Sequence, residues 1–246
     1  MHYLRSSFVS AVLLTCHLVT GAPTAAIPTE LRILPLGDSI TWGYASPDGN
    51  GYRLKLLDDL TADGDKIVFA GTVQGGNMTD NWNAGYPAKT IQYIGSQAPS
   101  SLAQNPNIVL LMAGTNDMNS NPYISTEGDD PAAAAGRLNT LVGQIFDAVP
   151  NTVVLLGKIP NIADDDQEVR TKQFNDLVPQ IVYDRASSGQ HIQLADMSVI
   201  QANQTIDGIH PDEAHYQLMG DIWYQGIKGL PSAWIQKPVG PDPVRS

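Results

Sequence analysis

The chain has 246 residues, 42% of them apolar and 16% charged, which is enough apolar surface for one sizeable core. Its 14 basic side chains stand against 25 acidic ones, for a net charge of −11. With no basic cluster, nucleic acid and anionic membrane surfaces are excluded as partners.

Residues 1–21 read as a secretory signal, with cleavage extending to about residue 26. Arg5 supplies a positive start, Phe8 to Val19 is mostly apolar, and small residues follow at Thr20-Gly21-Ala22 and Ala25-Ala26. The run is too short, and too polar at Thr15, Cys16 and His17, for a membrane span. Cys16 is the only cysteine, so the mature chain is expected to be secreted without thiolate chemistry, disulfide or thiolate-bound zinc. Asn77-Met78-Thr79 and Asn203-Gln204-Thr205 are glycosylation sequons, in keeping with that route.

Beyond the leader, short apolar runs alternate with helical patterns. Leu31–Leu36, Ile67–Ala70, Ile108–Met112, Val153–Leu156 and Ile192–Ala195 read as five strands buried on both faces. Helical spacing covers Tyr52–Leu60, Thr90–Leu102, Ala132–Ala148, Glu168–Ala186 and Asp212–Ile227, with a kink or break expected at Pro179. Strand–helix alternation predicts an α/β domain over residues 30–230, a five-stranded parallel sheet with helices on both faces. Residues 231–246 carry four prolines and read as a tail, either an extended wrap or disordered.

Four motifs fall at the ends of these runs. Gly37-Asp38-Ser39-Ile40-Thr41 follows the first strand, Gly85 lies in the loop after the second, and Gly114-Thr115-Asn116-Asp117 follows the third. Asp207-Gly208-Ile209-His210-Pro211 comes between the fifth strand and the last helix. Ligands of open parallel sheets bind outside the carboxyl ends of the strands, so the motifs share one rim. A serine hydroxyl needs a base to become a nucleophile. Ser39 is the candidate nucleophile and His210 the base: Pro211 suits the first helical turn and forces the residue before it out of the helical region, which holds His210 at a helix N-terminus. Asp207 is three residues upstream and can hold the imidazole Nδ1 proton, leaving Nε2 for Ser39. His191 and His215 read as structural or surface residues. The backbone N–H groups of Ser39 and Gly85 and the side-chain amide of Asn116 are candidate oxyanion donors, each worth about 3–4 kcal/mol.

Gly-Asp-Ser, a loop glycine, Gly-x-Asn-Asp and Asp-x-x-His in this order resemble the SGNH, or GDSL, hydrolase superfamily. Val68-Phe69-Ala70-Gly71-Thr72 and the stretch Asp80–Ile91 resemble, more narrowly, carbohydrate esterase family three, the secreted acetyl xylan esterases and relatives. The likeness runs from about Leu31 to Tyr224. It implies a flavodoxin-like three-layer α/β/α sandwich, a Ser-His-Asp triad and no required cofactor. It also implies that Ser39, Gly85 and Asn116 are the oxyanion donors. The loop Asn81-Trp82-Asn83-Ala84 departs from that family's acidic and histidine residues, and the substrate-side loop Asn119–Asp130 is this chain's own.

The expected function is therefore removal of short acyl groups, acetyl above all, from a plant polysaccharide or a small ester. Trp42, Tyr44, Trp82 and Tyr86 flank the motifs as rings able to stack on sugars. A lipase-like or aryl esterase is the alternative within hydrolases. A metal-dependent phosphoesterase would use Asp38, Asp117, Asp196, Asp207 and His210 as ligands but leaves Ser39 and Asn116 idle. A non-catalytic glycan-binding protein would leave the whole constellation unused.

Overall fold

The computed structural model describes residues 29–244, so the leader and Cys16 lie outside the described residues. The five apolar runs form parallel strands: β1 (Glu30–Gly37), β2 (Lys66–Phe69), β5 (Ile108–Met112), β6 (Val153–Lys158) and β7 (Ile192–Asp196). Two short strands that apolar runs do not reveal, β3 (Val73–Gln74) and β4 (Trp82–Gly85), pair antiparallel with each other. Among the described residues the sheet therefore has seven strands rather than the expected five. β3 is only two residues long, and β4, Trp82-Asn83-Ala84-Gly85, contains a polar residue and a glycine, so neither offers a run of apolar side chains.

β1 is the pivot of the sheet. Its first half pairs with β2, from Glu30↔Lys66 to Ile33↔Phe69, and its last two residues pair with β4, Gly37 facing Gly85. Its other edge pairs with β5 along five positions, ending at Gly37↔Met112. β6 and β7 extend the sheet on that side. The chain thus leaves β1 to one side and later returns to the other, which opens a crevice beyond the ends of β1 and β5. β5 is buried along its whole length, as a strand covered on both faces must be.

Helices α2 (Tyr52–Ala62) and α6 (Glu213–Lys228) pack together on one face. α3 (Ile91–Leu102), α4 (Pro131–Ala148) and α5 (Asp165–Ser187) form the other layer, completing a three-layer sandwich. α4 starts where its sequence says it should. Pro131 occupies the first turn, and Asp130 Oδ1 accepts from the Ala133 N–H at 2.7 Å. α5 starts three residues before the expected Glu168 and runs through Pro179 without a break. Phe174, Val178 and Ile181 on either side of the proline stay buried, and that packing outweighs the one helical hydrogen bond that proline forfeits.

The tail follows an extended course across the amino ends of the strands. The buried Arg32 guanidinium donates to the carbonyls of Val239 and Gly240 and pairs with Asp242. Asn107 Nδ2 donates to Gln236 O at 2.7 Å, and Trp234 stacks on His191 with ring centroids 4.6 Å apart. Among the described residues no helix is long and apolar enough to cross a membrane.

Candidate active site

At the carboxyl end of β1 the chain turns directly into α1 (Ser39–Trp42), a single helical turn. Asp38 caps it: Oδ1 accepts from the Ile40 N–H at 3.0 Å. Ser39 is thereby the first helical residue, and its N–H has no intrahelical acceptor. Gly37 has no alternative residue, since a Cβ there would stand 2.2 Å from Met112 O and 2.4 Å from Thr41 Oγ1.

His210 Nε2 lies 2.8 Å from Ser39 Oγ, and His210 Nδ1 lies 2.7 Å from Asp207 Oδ2. The loop that carries both is short and tied down. Asp207 Oδ1 accepts from the N–H groups of Ile209 and His210, Ile206 N–H donates to His210 O, and Thr205 bridges Pro211. Burial alone would raise the Asp207 carboxyl, but the N–H groups and the imidazole outweigh it and hold it below the ordinary aspartate value. Asp207 thus stays an anion wherever the imidazole needs an acceptor. Pro211 does not open the last helix as expected. Asp212 is the N-cap and Glu213 the first residue of α6, so His210 stands outside the helix.

His215 presents the same local pattern. Its Nδ1 lies 2.6 Å from Asp212 Oδ1, at the same three-residue spacing. His215 belongs to the first turn of α6, and among the described residues its Nε2 has no hydroxyl as a hydrogen-bond partner. Spacing cannot tell the two Asp-x-x-His pairs apart. Only the fold brings one of them to Ser39.

On the other side of Ser39, Asn116 stands at the end of β5, next to β1 in the sheet. Its Nδ2 donates to Lys89 O at 3.0 Å, which leaves a second amide hydrogen. Asp117 behind it is fully buried, accepting from the Ile91 N–H and from the Arg137 guanidinium, and so ties the starts of α3 and α4 to this loop. Gly85 ends β4 beside Gly37, not in an open loop, and its N–H donates to Asn83 Oδ1 at 2.8 Å. Glycine is needed there because a Cβ would meet the Trp42 backbone nitrogen at 2.4 Å. The main chain that approaches Gly85 closely is therefore α1 itself. Three residues on, Ala88 sits at φ 58°, a left-handed position uncommon outside glycine, and its N–H has no acceptor among the described residues.

Two further residues shape the site: Arg53, which no motif signals, and Tyr44, one of the rings that flank the motifs. Arg53, fully buried in α2, donates to the carbonyls of Trp42, Gly49, Gly75 and Asn81, clamping the far end of α1 to the loops around it. Tyr44 lays its ring against His210, with centroids 4.6 Å apart, and is 48% exposed. Of the other rings, Trp42 Nε1 donates to Gln74 O and Tyr86 OH pairs with Thr72 Oγ1. Trp82 packs partly buried against the core. The carboxylates of a metal reading do not converge. Asp117 is engaged by Arg137, Asp196 by Lys158 and Ser198, and Asp38 points into the core beneath Ser39.

Residues 36–218 match the GDSL-like lipase/acylhydrolase family. The chain belongs to that family. A multidomain esterase of Ruminococcus flavefaciens is 29% identical over 87% of this chain, which spans 31% of that protein's length. An arylesterase of Vibrio mimicus is 25% identical over 76% of this chain and 84% of its own. Among solved structures, a family 3 carbohydrate esterase of Clostridium thermocellum superposes with a TM-score of 0.67 at 28% identity. That superposition covers 80% of this chain and 94% of the other.

Proposed function

We propose that this chain is a serine ester hydrolase that removes short acyl groups, acetyl foremost, from a polysaccharide. The observation that carries the reading is the unbroken relay from Ser39 Oγ to His210 to Asp207, with separations of 2.8 and 2.7 Å. His210 Nε2 takes the hydroxyl proton as Ser39 Oγ attacks the acyl carbon. Asp207 holds Nδ1–H and stabilises the imidazolium that forms. His210 then returns the proton to the leaving sugar hydroxyl, and water releases the acyl group by the same steps in reverse. The Ser39 N–H, without an acceptor among the described residues at the head of α1, and the second hydrogen of Asn116 Nδ2 face the developing oxyanion. A third donor comes from the 85–89 turn. Gly85 can serve only by sharing its bond to Asn83, whereas the strained Ala88 N–H has no such tie.

Secretion, with glycans on the exposed Asn77 and Asn203, belongs to this reading. The likeness to a carbohydrate esterase supports the polysaccharide. The likeness to an arylesterase over most of that protein's length supports the second reading, a broad esterase of small aryl esters. The test is acetate release from acetylated xylan beside catalytic efficiency on nitrophenyl esters from acetate to octanoate, for wild type and Ser39→Ala. Acetyl esters and xylan should be turned over, and Ser39→Ala should lose turnover on the order of a million-fold. Efficiency that climbs with chain length, with no acetate from xylan, would favour the broad esterase. Near-native activity of Ser39→Ala would end both readings.

A further inference from the structure

Beside the Asn116 wall lies a second concavity that takes no part in the relay. It has a volume of about 390 Å³ and opens between the first turns of α3 and the 119–130 loop, within the ~300–1,000 Å³ range of ligand pockets. Tyr93 and Tyr123 are its two rings, and Lys89, Gln92, Thr126 and Glu127 are its polar groups. Tyr123 is 92% exposed, an unusual place for a large ring in a chain that buries most of its apolar surface. The loop that presents it is nonetheless fixed. Asn121 Oδ1 accepts from the Tyr123 N–H, Asn121 O accepts from Ile124 and Ser125, and Arg137 donates to Gly128 O. Tyr93 is 40% exposed, with Tyr86 at its edge, centroids 5.9 Å apart, and Lys89 Nζ 4.9 Å from its ring centre.

The concavity is joined to the reacting centre through Ala88, which lines it at the end of the 85–89 turn, and through Lys89. Lys89 lines it with its side chain, while the Lys89 carbonyl accepts from Asn116 Nδ2. Exposed rings held on a rigid frame suit the apolar faces of a pyranose. The amide, hydroxyl and single charges of opposite sign suit its hydroxyl groups without favouring an ion. We infer that this concavity is a glycan subsite, binding a sugar unit of the neutral polysaccharide adjacent to the one that carries the acyl group. The inference rests on the ester-hydrolase reading above and narrows its substrate to an oligomeric one. The rings that bind it come from α3 and the loop peculiar to this chain.

The experiment compares wild type, Tyr123→Ala and Tyr93→Ala on acetylated xylo-oligosaccharides and on nitrophenyl acetate. In parallel, calorimetry follows binding of unacetylated xylohexaose to the folded proteins. Loss of a stacking ring should raise KM for the oligosaccharide roughly three- to tenfold. Values for nitrophenyl acetate should stay within about twofold, and xylohexaose binding should weaken in step. Equal losses on both substrates, or no loss on either, would overturn the subsite. If wild type hydrolyses no ester at all, the enzymatic reading fails while the subsite is judged by binding alone. Tyrosine-dependent xylohexaose binding then supports it, and the absence of binding overturns it.

Discussion

At the scale of single residues, the chemistry depends on which of two look-alike histidines meets the serine. His210 and His215 each follow an aspartate by three residues and each binds it through Nδ1. Of the two, only His210 has its second nitrogen within reach of a hydroxyl among the described residues. His210→Ala should therefore lose nearly as much turnover as Ser39→Ala, and His215→Ala should remain within a few-fold of wild type. Asp207→Asn should fall between them, because the amide can still hold the loop but presents the wrong partner to Nδ1–H. Inactivation by His215→Ala would refute the assignment of the base. Asn116 offers a separate check. Asn116→Ala should lower kcat roughly a hundredfold or more with KM little changed, since the lost bond forms only as charge develops on the oxyanion. A rise in KM with kcat intact would make Asn116 a substrate-binding residue instead. The serine, histidine, aspartate and asparagine are all legible in their motifs. Arg53 and Ala88 are not, because a buried guanidinium on four carbonyls and a left-handed alanine are products of chain geometry rather than of local composition.

At the scale of elements, the single turn α1 has the most to carry, and its cap is a buried carboxyl. Asp38 Oδ1 receives the Ile40 N–H, while Oδ2 makes no full hydrogen bond among the described residues and has the Thr115 hydroxyl only near it. Burial pushes the Asp38 carboxyl up to about 6, against the pull of the Ile40 N–H, the Thr115 hydroxyl and the His210 imidazole. An unfolded aspartate titrates near ~3.9. The folded state thus holds this proton more tightly, and its contribution to stability is complete below pH ~4 and is lost as pH rises through about 6. Asp38→Asn keeps the cap and never ionises. Its stability relative to wild type, read from urea midpoints, should therefore improve with pH by on the order of 2–3 kcal/mol between pH 4 and 7. A difference that is flat across that range would mean that Asp38 is ionised throughout. Helix and strand positions were largely legible, since α3 and α4 fall within one residue of their apolar periodicity. The β3–β4 hairpin was not, because it is held by main-chain bonds that leave no apolar trace.

At the scale of the whole molecule, the sheet separates its two ends. The carboxyl ends of the strands carry Ser39, Asn116 and Gly85, and the amino ends are closed by the tail. Ending the chain after Leu230 would strip Arg32 of the Val239, Gly240 and Asp242 contacts and leave a buried cation with fewer acceptors. Thermal or urea unfolding should show a loss of about 2–4 kcal/mol, with kcat/KM on nitrophenyl acetate unchanged, because the tail lies at the opposite end from Ser39. Equal loss of activity and stability would mean that the two ends are coupled. The sequence alone determined the alternation that makes a parallel sheet, and the side chains able to perform acyl transfer. Both are local facts, readable from apolar period and functional-group chemistry. Only the tertiary structure decided that β1 pairs with β5, so that Asn116 flanks Ser39, and that the Asp207 pair rather than the Asp212 pair reaches it. It also decided that the Gly85 N–H is held by Asn83 and that two tyrosines face a common concavity. Such pairings join residues distant in the chain, where register, burial and competition for each hydrogen-bond donor are settled by the whole fold at once.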